Sequence, residues 1–150
     1  MRKKEGRAMS VKRFRPLTDK LYWIILIPTV LLMAVMTVIS AFAPYALLIT
    51  ILTDLMVAYF LISPLFGYVE LREETVFIKY GFIMKNEIPY IKIREVVKAR
   101  RFYADSMIAL KNSFEHVNIK YNTFDIATVS VIDNDIFISE LETRLFAKQL

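Results

Sequence analysis

One histidine, no cysteine and three glycines (Gly6, Gly67, Gly81) leave this 150-residue chain few ways to do chemistry. His116 lies in "FEHVNIKY" (114–121), where alternate residues face opposite ways. It shares a side with Asn118 and Lys120 and is expected to be solvated. Asp133, Asn134 and Asp135 begin like a calcium loop, but the remaining ligands and the loop glycine of an EF-hand are missing. Asp133 reads better as a helix N-cap. Glu140 and Glu142 are two residues apart, which separates them on a helix and argues against a general acid–base pair. Three scattered glycines build neither a P-loop nor a dinucleotide fingerprint. No catalytic residue, metal or cofactor is expected, and the chain reads as a non-enzyme.

Two constellations remain. The first is basic: Lys92, Arg94, Lys98, Arg100 and Arg101, interrupted only by the acid Glu95. Strand spacing puts Arg94, Lys98 and Arg100 on one face. That face is either simply solvated or laid against anionic lipid headgroups, where a well-placed cation is worth about 1 kcal/mol. The second is Asp54, the one charge in 21–67, with Thr50 and Thr53 beside it on the same side of a helix. An ionised Asp in hydrocarbon costs about 2.5–3.5 kcal/mol on insertion scales. Either Asp54 is protonated and bonded to a hydroxyl such as Thr37, or it contacts a second copy, a ligand or another membrane protein.

The composition is 56% hydrophobic with a mean hydropathy of +0.42, which points to a membrane-embedded portion. Residues 21–43 carry no charge and reach roughly 35 Å as a helix, enough for a hydrocarbon core of about 30 Å. Tyr22 and Trp23 stand at the start, where amphipathic aromatics favour the interface. Residues 46–67 form a second apolar run, and the short "AFAPYA" joins the two into a helical hairpin. A cleaved secretory signal is the competing reading, but the apolar run exceeds an h-region of about 7–15 residues and a second span follows at once.

The net charge of +5 is unevenly placed. Residues 1–20 hold eight Lys/Arg against Glu5 and Asp19, whereas 68–150 hold twelve basic and twelve acidic side chains. A basic tail resists translocation, so both termini and everything after residue 67 are expected in the cytoplasm of a two-span protein. With the excess confined to a tail beside a span, a nucleic-acid partner is not expected.

After Gly67 the apolar period changes from helical to alternating. Strands are expected at 68–72, 75–80, 83–89, 94–102, 106–110, 114–121 and 126–132. A helix over 134–147 follows, with Phe137, Leu141 and Leu145 on one stripe. Seven short antiparallel strands and a closing helix describe a pleckstrin-homology (PH) barrel or sandwich. The whole is therefore expected to be an α+β membrane protein: a basic tail (1–20), a helical hairpin (21–67) and a PH-like domain (68–150).

"YVELREETVFIKYG", "IPYIKIREV", "AL" leading to "VNIKY", and "VSVIDNDIFISEL" also carry a resemblance. On these stretches residues 68–145 resemble the small bacterial PH domains of the YyaB-like group. That group occurs on short membrane-anchored proteins and includes proteins similar to the sublancin immunity protein. The resemblance implies a role in bacteriocin immunity or envelope protection against a membrane-active peptide. Two other roles fit the residues as well: a tethered adaptor for a protein partner or anionic lipid, and an accessory subunit of a transporter.

Overall fold

The computed structural model describes residues 10–107 and 109–149. Arg2, Lys3, Lys4, Glu5 and Arg7 of the basic tail, Ile108 of the expected fifth strand and Leu150 lie outside the described residues.

Two apolar helices, α1 (Lys20–Ser40) and α2 (Pro44–Ile62), form an antiparallel hairpin, and α2 runs on into a 3-10 turn (Ser63–Phe66). Asp19 caps α1, its Oδ1 accepting from the Leu21 amide at 2.8 Å. Pro44 starts α2, where its missing N–H is no loss. Both helices are long and apolar enough to cross a membrane, and only 6% of the most apolar stretch of each is buried within the protein.

Eight strands follow the same period-2 logic. β1 (Lys12–Phe14), β2 (Tyr68–Leu71), β3 (Thr75–Tyr80) and β4 (Met84–Pro89) form one antiparallel sheet in that order. β5 (Ile93–Arg100), β7 (Glu115–Tyr121), β8 (Asp125–Val129) and β6 (Ala109–Leu110) form the second. The expectation of purely antiparallel strands is corrected at one point, since β6 runs parallel to β8. β6 pairs with its next-but-one neighbour, and β7, which intervenes, reverses the chain between them.

Alternate residues of the two sheets meet in one core. Val69, Leu71, Val76, Ile78, Val117, Ile119 and Val129 are fully buried, and α3 (Asn134–Gln149) covers them with Phe137 and Leu141. Leu145 packs against the same cluster. Phe14 of β1 meets Phe137 edge to face, with ring centroids 5.2 Å apart.

The N-terminal segment is thus built into the β module. Lys12 pairs with Leu71, and Arg13 with Glu70, across the β1–β2 ladder. Residues 15–19 then cross to the other sheet: Arg15 O accepts from Ile132 N, Leu17 N donates to Ser130 O, and Asp19 N donates to Asn112 O. Three residues are too few to show alternation, so periodicity did not reveal β1.

Asp133 precedes α3 and its carbonyl accepts from Phe137 N at 3.0 Å, but its φ is +72° and its carboxylate makes no hydrogen bond among the described residues. The side-chain cap expected there is absent. Asn134 Oδ1 instead accepts from Val131 N, which ties the strand end to the helix start.

Candidate functional site

The site is built where the hairpin meets the β module. Asp19 acts twice: besides capping α1, its Oδ2 accepts from Phe114 N at 3.0 Å, just before β7. At the other helix end, Ser63 Oγ accepts from Phe82 N at 3.3 Å, in the turn between β3 and β4. The Phe82 ring lies 4.8 Å from Phe66 and 5.7 Å from Tyr59. Gly81 in this turn has φ +81°, and a Cβ there would stand 1.7 Å from Ser63 Oγ. At Gly67 a Cβ would meet Leu110 Cδ1 at 2.3 Å. Both glycines are where the chain approaches itself too closely for a side chain.

These contacts define a helix-side end and a far end of the module. Gly81 closes one end of the β3–β4 hairpin, and Thr75 pairs with Pro89 at the other. Six residues of strand separate them by about 20 Å. Tyr90 and Lys92 belong to the far end, through Tyr90 N to Glu74 O and Asn122 N to Lys92 O. Arg101 belongs to the helix side, because its amide donates to Phe114 O.

The basic cluster is consequently divided along β5. Lys92 and Arg94 stand at the far end, Arg100 and Arg101 at the helix side. A bulge between Ile93 and Glu95 also interrupts the strict alternation at Arg94 on which the expected shared face with Lys98 and Arg100 relied. Lys98 is engaged by Asp135 at 2.7 Å and Glu115 at 3.8 Å, and the Asp135 bond raises its pKa above the ordinary lysine value. Arg101 pairs with Asp105 at 3.4 Å and stacks on Tyr103. Among the described residues Lys92, Arg94 and Arg100 form no ion pair.

In the hairpin, Asp54 Oδ2 lies 2.7 Å from Thr37 Oγ1 on the facing helix, the partner named as the structural alternative. Thr50 turns instead to Ser40 at 2.8 Å, and Thr53 donates to its own Ile49 carbonyl. The expected stripe of Asp54, Thr50 and Thr53 is thus three separate local arrangements.

His116 is a correction. Its exposure is 0%, and Asn118 beside it is buried as well. The segment 101–107 folds over that side of β7: Asn118 donates to Asp105, and Thr128 Oγ1 donates to Asn118 at 2.7 Å. A strand covered on both faces has no polar side to offer water. Burial pushes the imidazole pKa below 6.5, opposed by the contact of Nδ1 with Phe114 O at 3.1 Å, while Nε2 has no partner among the described residues.

Arg144 escaped the sequence reading. It is only 2% exposed and donates to Leu71 O, Arg72 O and Ser10 O at 2.7–3.0 Å, and to Glu140 at 3.1 Å. The signal was present: position 144 falls three residues after Leu141 and seven after Phe137, on the buried stripe.

Two cavities flank this framework. One of about 480 Å³ at the far end is lined by Pro89, Tyr90, Ile91 and Leu145, with Glu74 and Lys148 paired at 3.4 Å beside it. The other, about 370 Å³, lies at the helix side between Tyr59, Phe60, Met84, Met107 and Leu110. The arrangement offers apolar grooves beside charged side chains.

Residues 67–145, just over half of the chain, match the family described as "Bacterial PH domain". No curated protein and no solved structure matches the chain.

Proposed function

Because this chain belongs to the bacterial PH domain family, we propose that it is a non-enzymatic PH-like module anchored in the cell membrane by its two helices, with both termini in the cytoplasm, working as a tethered adaptor. One observation carries this reading: both helix ends are bonded to the same end of the module, at Asp19 and at Ser63. Once the helices cross a bilayer, that end lies at the lipid surface and the far end is held out into the cytoplasm. Arg100 and Arg101 then stand near anionic headgroups, while Lys92 and Arg94 are carried away from them.

The partner surface on this reading is the far groove of Pro89, Tyr90, Ile91 and Leu145, whose apolar floor is bordered by the Glu74–Lys148 ion pair. It suits an apolar side chain on a partner protein. The resemblance to the YyaB-like group supports a specific form of this role, in which the captured partner is a membrane-active peptide and the protein confers immunity.

The chain has no native cysteine, so a single Ile91→Cys reports the orientation cleanly. A membrane-impermeant maleimide is expected to label it in inverted vesicles and not in intact cells. Labelling in intact cells would overturn the reading. Killing assays with a panel of bacteriocins, on a sensitive host with and without the intact chain, test the immunity form.

A further inference from the structure

Six large apolar side chains are exposed in two short segments at the helix side of the module: Phe82, Ile83 and Met84 in the β3–β4 turn, and Phe102, Tyr103 and Met107 after β5. Ile83 is 76% exposed and Met107 is fully so. A single exposed apolar residue needs no explanation, but a contiguous group marks a contact surface. The two segments converge. Met84 and Met107 border the same cavity as Tyr59 and Phe60 of α2, and the Phe82 ring lies against Tyr59 and Phe66. The patch therefore continues the apolar surface of the hairpin without a break at the helix end.

We infer that these two segments dip into the headgroup–acyl boundary of the bilayer beside the helices, so that the module has a lipid contact of its own besides its anchor. The inference rests on the reading that the helices cross the membrane, and adds to it which parts of the β module lipid covers. Continuity with the helix surface selects lipid as the occupant. The surrounding charge agrees: Lys79 and Lys85 face each other across the strands next to the turn, Arg100 and Arg101 precede the second segment, and Lys111 Nζ bonds Phe102 O at 2.7 Å. Apolar side chains within a rim of cations suit the boundary of an anionic membrane, with aromatic rings at the headgroup level. The rigid junction at Gly81 and Ser63 fixes the depth of the turn relative to α2.

The far end supplies an internal control. Ile91 is 91% exposed and equally apolar, but lies at the opposite end of the hairpin. Single cysteines at Ile83, Met107, Ile91 and, within α2, Leu52 can each carry an environment-sensitive fluorophore in the full chain. The chain is reconstituted in vesicles of mixed phosphatidylcholine and phosphatidylglycerol and probed with aqueous iodide. Quenching at 83 and 107 is expected to fall several-fold below quenching at 91, with position 52 protected most. Protection at 52 with equal quenching at 83, 107 and 91 would overturn the inference while leaving the anchor intact. Free quenching at 52 would overturn both.

Discussion

No residue of α2 is buried, whereas β2, β3, β7 and α3 close a core in which Val69, Ile78, Ile119 and Leu141 have no exposure at all. Both regions are rich in apolar side chains. The β module covers its own, because alternation sends half of each strand inward and α3 closes over them. The hairpin covers almost none. Two helices side by side bury one narrow seam, and its specific contacts are polar: Thr37 to Asp54, Ser40 to Thr50, and Tyr22 Oη donating to Leu61 O at 3.1 Å. The two regions are therefore fragile in different ways. The module depends on exclusion of water from a packed interior, while the hairpin depends on what surrounds it, which on the proposed reading is lipid.

Disrupting the packed interior should have the strongest consequence. Leu141→Asp places an unpaired carboxylate among fully buried apolar residues and should cost about 3–5 kcal/mol or more, enough to unfold the module. Leu52→Ala, on the exposed surface of α2, should leave the module's melting transition within about 0.5 kcal/mol of the parent. Thermal unfolding of both variants, followed by circular dichroism in detergent, measures the contrast. Comparable destabilisation by the two would break it.

A smaller effect separates the regions by pH. His116 is buried and its folded-state pKa is held below the ordinary 6.5. The unfolded chain therefore binds the proton more readily. Its contribution to stability is complete above pH 6.5 and is lost as pH falls through that value toward the folded pKa. Melting curves recorded down through this window should show a decline that His116→Gln removes. An unchanged decline in the variant would place the titration elsewhere.

The smallest effect lies in the hairpin. Asp54→Asn keeps a partner for Thr37, since an amide donates to the hydroxyl while that hydroxyl donates to the Met33 carbonyl 2.9 Å away. Interhelical bonds of this kind average about 0.6 kcal/mol, so abundance should be unchanged. Activity lost at unchanged abundance would show that the Asp54 charge meets something outside the hairpin and would sharpen its role from packing to recognition.

Much of the fold was legible because its signals are local. An uncharged run long enough for a helix of membrane length, the switch to alternation at residue 68 and the return to helical spacing after 133 each occupy a single window of sequence. The stripe of Phe137, Leu141 and Leu145 needed nothing else. The expected site was legible only as a set of residue types, because charge within ten residues of sequence does not say how far apart a strand will carry it.

Sequence by itself therefore determined the two apolar helices, the strand-rich module and its closing helix, since backbone periodicity and hydrophobic burial act over neighbouring residues. Tertiary structure alone decided the rest. Phe14 and Arg13 found Phe137 and Glu70 across more than fifty residues, making a strand from part of a basic tail. The 101–107 segment closed over β7 and turned His116 from a surface residue into a buried one. β5 carried Arg94 and Arg101 to opposite ends of the module. Each of these depends on which segments pack together, and burial and distance are properties of that packing, not of any one stretch of chain.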